Sequence, residues 1–201
     1  MPLTISKSRI EALSDGVFSI AMTLLVLKLD VPAVMHHHAS DESMVDELFA
    51  MTPALVTYIV TFLIAGGFWF LHQFTFHFIR HVDAFLVWVN LMFLMLVSLL
   101  PFSAGLMDHL VVHPISQVFY FGNELAIACL LNVHWLYARH KGLTGSSEPK
   151  AMFYVNCRVV GTAAVFAACL VAGFFAPAYS WVPLPIFLFA AVITELFIGR
   201  T

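Results

Sequence analysis

Six stretches of this 201-residue chain are each long and apolar enough to cross a lipid bilayer as a helix, and nothing else in the sequence limits its fold as sharply. A hydrocarbon core about 30 Å thick needs roughly 20 apolar residues of helix. The stretches run near Ile10–Leu29, Thr52–Ile79, Ala84–Met107, Ile115–Tyr137, Val159–Pro177 and Trp181–Gly199, and charged, Gly or Pro-containing connections separate them. Irregular backbone cannot face lipid, and these runs are too long for barrel strands. The expected fold is therefore all-α: a six-transmembrane-helix membrane protein forming a single domain over residues 1–201.

Composition narrows the function classes. Hydrophobic residues make up 61% of the chain and charged residues 10%, with a mean hydropathy of +0.93. A soluble domain is nearer half apolar and about a quarter charged, so a soluble enzyme is excluded. The net charge of -3 offers no basic field for nucleic acid. Cys129, Cys157 and Cys169 lack CxxC spacing and read as small core residues. Glu11 and Asp15 interrupt the first apolar run, so no removable signal peptide is expected.

Orientation follows from the basic residues. Lys7, Arg9, Arg80, Arg139, Lys141, Lys150, Arg158 and Arg200 fall on one side of the six-span arrangement, and of the nine Lys and Arg only Lys28 falls on the other. The positive-inside rule then makes both termini cytoplasmic, in a multi-pass protein of the plasma membrane. The six spans do not divide into two similar halves, which counts against an inverted-repeat transporter. A bundle without repeats often builds its pathway by placing it on the symmetry axis of an oligomer.

The first span is unusually short. Only the 12 residues Gly16–Leu27 separate Asp15 from Lys28, about 18 Å of helix. Its ends either snorkel or the helix is shielded from lipid by the other five and lines an interior path; the hydroxyls of Ser14, Ser19 and Thr23 favour the inner helix. Gly16, Ile20, Thr23 and Leu27 share one face, with Leu24 beside them. Copies of that face around an axis would stack rings of branched apolar side chains with one hydroxyl ring among them, a constriction that gates by dewetting. The same stripe also suits ordinary helix packing.

The segment Arg9-Ile10-Glu11-Ala12-Leu13-Ser14-Asp15 has the form R-x-x-x-L-S-D, followed by Trp69-Phe70-Leu71-His72, Asn90-Leu91 and Leu99-Leu100-Pro101-Phe102. These resemble, in order, the R-x-x-x-F-S-D signature, the W-x-x-H, the N-L and the L-P-F of the transmembrane protein 175 family. That family comprises endosomal and lysosomal potassium channels with single-repeat bacterial relatives. Leu13 stands where the family has Phe, a change that bears on local packing. The resemblance implies a bacterial homotetramer with four copies of the first helix around a central, potassium-permeable pore. It also implies a constriction at Ile20, a contribution of Thr23 to ion preference, potassium ions and the lipid bilayer as partners, and no cofactor.

Arg9, Ser14, Asp15, Trp69, His72 and Asn90 fall at similar depth on the first three spans, so one hydrogen-bonded network joining those helices is expected. Its expected role is architectural. Among the histidines, His77 with His81 and His109 with His113 have a metal-like spacing but no completing ligand, and His36-His37-His38 reads as a solvated acidic loop, so no metal site is expected. Glu124, within the fourth span, has Asn123 and Asn132 as expected partners. Gly161, Ala164, Ala168 and Ala172 form a small-residue packing face within or between subunits. The chief rival reading is a proton-coupled secondary transporter using Glu124 and Asp15; an intramembrane enzyme or haem protein is a third.

Overall fold

The computed structural model describes residues 6–29, 41–109, 113–145 and 149–190. Helix α1 (Lys7–Leu24) ends in a 3-10 turn, Leu25–Lys28. Then come α2 (Asp41–Ala50), α3 (Thr52–Phe78), α4 (Ala84–Ser98), α5 (Leu100–His109), α6 (Pro114–His140) and α7 (Pro149–Phe175). A 3-10 turn at Pro177–Tyr179 leads to α8, residues 184–190. Five segments are long and apolar enough to span a bilayer: Lys7–Lys28, Thr52–Phe78, Ala84–Met107, Pro114–His140 and Pro149–Phe175. The chain is a multi-pass membrane protein. The apolar segment Pro177–Ala190 begins the expected sixth span, whose remaining residues 191–199, with Glu195, lie outside the described residues, as does His36-His37-His38.

Local chemistry sets the helix ends. Pro53 and Pro114 lie in the first turns of α3 and α6, where a missing N–H costs no hydrogen bond. The Asp83 carboxylate accepts the Leu86 N–H at 2.9 Å and starts α4. After α6, Gly142 takes a left-handed conformation with φ 66°, and the Leu143 N–H returns to the Ala138 carbonyl at 2.9 Å. That turn places Leu143 to receive the Arg80 N–H at 2.8 Å, and Ile79 pairs antiparallel with Thr144. The α3–α4 and α6–α7 connections are thereby fastened at one end of the bundle.

Three boundaries depart from expectation. The third span is two helices, because Pro101 has no N–H for the Val97 carbonyl and its ring crowds it. The Asn123 amide donates to the neighbouring Leu96 carbonyl at 3.3 Å and so serves the interrupted turn. Helix α7 starts at Pro149, ten residues before Val159, since Asn156 accepts from Trp135 Nε1 at 2.9 Å and Arg139 at 3.0 Å and turns a polar stretch into a packed one. The acidic connection contains α2, whose Val45, Leu48 and Phe49 are exposed apolar side chains.

Helix α6 is the hub, packing against α4, α5 and α7, while α1 lies on α3 and α4. The core is aromatic: Phe18, Phe68, Phe93, Tyr120, Phe121, Trp135 and Phe166 are all buried. Of the cysteines only Cys169 belongs to it; Cys129 and Cys157 lie on outward faces of α6 and α7. The small-residue face of α7 also points outward at Gly161, Ala164 and Ala168, because the larger Val159, Phe166 and Cys169 fill the inner face.

Candidate functional site

Helix α1 has two faces. Ile10, Ser14, Phe18, Ala21 and Leu25 are buried against the bundle at helical spacing. Ile20, Thr23, Leu24 and Leu27 lie on the exposed face, Ile20 at 61% and Leu27 at 72%. Among the described residues, α3, α4 and α5 cover one side of α1 only, so no described helix of the protomer encloses it as an inner helix. Among the described residues nothing encloses this stripe. The Thr23 hydroxyl donates to the Ile20 carbonyl at 2.9 Å, which occupies its proton and leaves its lone pairs outward.

Behind the stripe, the motif residues separate into two groups where one network was expected. In the buried group, His72 Nε2 donates to Asn90 Oδ1 at 2.9 Å, the Asn90 amide donates to Ser14 Oγ at 3.2 Å, and Ser14 donates to the Ile10 carbonyl at 2.9 Å. All donors point the same way, from α3 through α4 to α1. His72 is stacked between Phe76 and Phe93, with ring centroids 4.3 and 5.1 Å away, and His134 of α6 meets it edge-on at 6.1 Å. In this setting each polar group needs its partner, since a bare donor among aromatic rings is costly.

The second group is at the surface. Trp69 Nε1 donates to Asp15 Oδ1 at 2.8 Å, and the Gln73 amide, one turn beyond Trp69, donates to the same oxygen. Trp69 and His72 thus serve different partners: three residues apart on α3, one reaches along the surface and the other inward. Gln73 escaped the sequence reading, although its spacing of four from Trp69 is the signal that could have found it. Arg9 enters neither group. It is exposed, and among the described residues its side chain forms no hydrogen bond or ion pair, while Lys7 pairs with Glu11 at 3.4 Å on the same turn.

Glu124 is fully buried on α6, but neither expected partner serves it. Asn123 turns to Leu96, and Asn132 donates to the Ala128 and Val159 carbonyls, both at 2.9 Å. The nearby Tyr120 and Thr61 hydroxyls are 2.7 Å apart and link α6 to α3. Among the described residues no group of three or more His, Cys, Asp or Glu side chains comes together.

Residues 9–101 match the family described as the endosomal/lysosomal potassium channel TMEM175. The chain is similar to a potassium channel of Chamaesiphon minutus, with 37% identity over 134 residues, 65% of this chain and 64% of the relative. It is also similar to a potassium channel of Streptomyces collinus, with 36% identity over 99 residues, 49% of this chain and 46% of the relative. The matches therefore span from about half to just under two thirds of these relatives' lengths. Among solved structures, it resembles the crystal structure of a lysosomal potassium-selective channel TMEM175 homolog from Chamaesiphon minutus. There the TM-score is 0.74 and the identity 26%, over 94% of this chain and 96% of the other.

Proposed function

We propose that this chain is a member of the TMEM175 family, whose model matches its residues 9–101, and that it is a potassium-permeable cation channel of a bacterial plasma membrane. In this reading residues 1–201 form one six-span domain with both termini cytoplasmic. Four copies assemble so that their α1 helices surround a central pore, with Ile20, Thr23, Leu24 and Leu27 lining it. The observation that carries the reading is the exposure of this stripe on a helix whose opposite face is fully packed.

The chemistry of the stripe suits passive conduction. A ring of Ile20 side chains excludes water, so the barrier to a cation is chiefly dehydration. Potassium holds its water less tightly than sodium and passes such a ring more easily. One turn on, the Thr23 oxygens face the axis with lone pairs available, because each proton is engaged by the Ile20 carbonyl. The Ser14–Asn90–His72 chain and the Asp15–Trp69–Gln73 cluster hold α1 to α3 and α4, so the ring diameter is set by the bundle behind it. No step requires a cofactor or a bound metal beyond the conducted ion. A proton-coupled carrier is not favoured, since the sequence lacks the repeated halves that such carriers rock against each other.

The test is flux from potassium-loaded liposomes containing the purified protein, with and without a proton ionophore. Protein-dependent potassium efflux that runs only when the ionophore supplies compensating charge supports a channel. Efflux that proceeds without the ionophore, coupled to proton entry, overturns it in favour of exchange.

A further inference from the structure

We infer that Gly105 on α5 is a positioning residue for conduction: it seats the stem of Lys28 and, together with the 3-10 turn that ends α1, keeps that ammonium off the proposed pore. This role rests on the channel reading.

Lys28 directly follows Leu27, the last residue of the exposed stripe, and it is the basic residue that the expected topology leaves on the outer side. Four copies of a cation beside the Leu24 and Leu27 rings would repel the conducted ion. An uninterrupted α-helix would put it there, because at 3.6 residues per turn Lys28 stands about 40° from Leu24 around the axis, on the stripe itself. The helix tightens instead. From Leu25 to Lys28 the backbone is 3-10, and the Leu29 N–H returns to the Val26 carbonyl at 3.1 Å. With three residues per turn, side chains three apart eclipse each other. Leu27 therefore stays in line with exposed Leu24, and Lys28 moves in line with buried Leu25.

Helix α5 receives the side chain. It packs against the 3-10 turn, and a Cβ at Gly105 would stand 3.3 Å from Lys28 Cδ, 3.6 Å from Cε and 3.8 Å from Nζ. The outer half of the stem thus crosses α5 where α5 carries no side chain. Lys28 remains exposed, so the methylenes gain apolar contact while the ammonium keeps its water. A methyl group at position 105 would already crowd the stem, and a larger side chain would displace it. The stem is the flexible partner, so it would swing off α5 and bring the ammonium nearer the mouth of the stripe.

Single-channel potassium conductance of the full chain in planar bilayers, at about 10 mM and about 1 M KCl, tests this. The Debye length is about 30 Å at the lower salt and about 3 Å at the higher, so an ammonium at the mouth acts only at the lower. Gly105→Leu should lower the low-salt conductance about threefold and leave the high-salt value within about 1.3-fold of wild type. Adding Lys28→Gln to Gly105→Leu should restore the low-salt value, which it would not do if the loss came from damaged packing. Lys28→Gln alone should stay within about 1.3-fold of wild type at both salts, and this arm reads out even if Gly105→Leu does not assemble. The seat is overturned, with the channel reading left standing, by a rise of about threefold at low salt in Lys28→Gln alone. An unchanged low-salt conductance in Gly105→Leu, or a loss that Lys28→Gln does not rescue, overturns it equally. A wild-type protein that conducts no potassium overturns the channel reading and this role with it.

Discussion

The amide nitrogen of Asn90 on α4 lies 3.2 Å from the hydroxyl of Ser14 on α1, deep in the bundle and beside aromatic rings. Through this contact the helix that carries the exposed stripe is tied to the interior. Asn90 bonds His72 with its other side-chain atom, so its removal strands two partners at once. Asn90→Ala should therefore destabilise the protein by about 1–3 kcal/mol. Thermal unfolding in detergent, followed by Trp fluorescence, measures it.

The surface cluster predicts a different ranking. Asp15 accepts from both Trp69 and Gln73, whereas Arg9 touches neither group. Asp15→Ala should lower the unfolding temperature more than Arg9→Ala, and Arg9→Ala should move it by about 1 °C at most. Equal losses in the two variants would return Arg9 to the network.

A third expectation concerns the fastened loops. Gly142 is left-handed at φ 66°, a conformation that costs a residue with a Cβ about 1 kcal/mol. Gly142→Ala should thus lower the unfolding temperature by about 2–4 °C while leaving the α1 stripe, and hence ion preference, untouched. A changed reversal potential in this variant would couple the loops to the pore.

The apolar runs and the motif residues were legible in the sequence because span length and helical spacing are local properties. Ser14, His72 and Asn90 come together from three helices as their depths require. What stayed hidden depends on neighbours. The early start of α7 reflects Trp135 and Arg139 reaching Asn156 across to α6, a pairing no window of residues near Pro149 contains. The split of the third span had a local cause in Pro101, but its compensation by Asn123 comes from 27 positions along the chain from Leu96. Shared depth on the first three spans puts Asp15 in one network with Ser14, His72 and Asn90, yet the protomer leaves it at the surface with the rest of the exposed face.

The oligomer is the next consequence. One protomer presents one stripe of exposed Ile and Leu on α1, so the solubilised protein should have the mass of four chains by native mass spectrometry or light scattering. A mass equal to a single 22.4 kDa chain would remove the shared pore.

The most direct measurement is the reversal potential of Ile20→Asn and wild-type protein in bilayers with potassium on one side and sodium on the other. An amide ring in place of the dry Ile20 ring lets ions keep more of their water, so current should rise and the reversal potential should move toward zero as sodium gains entry. The thermal stability of the variant should stay near wild type, because the replaced side chain is exposed on the protomer. An unchanged reversal potential together with a clear loss of stability would mean that Ile20 packs against protein and lines no pore.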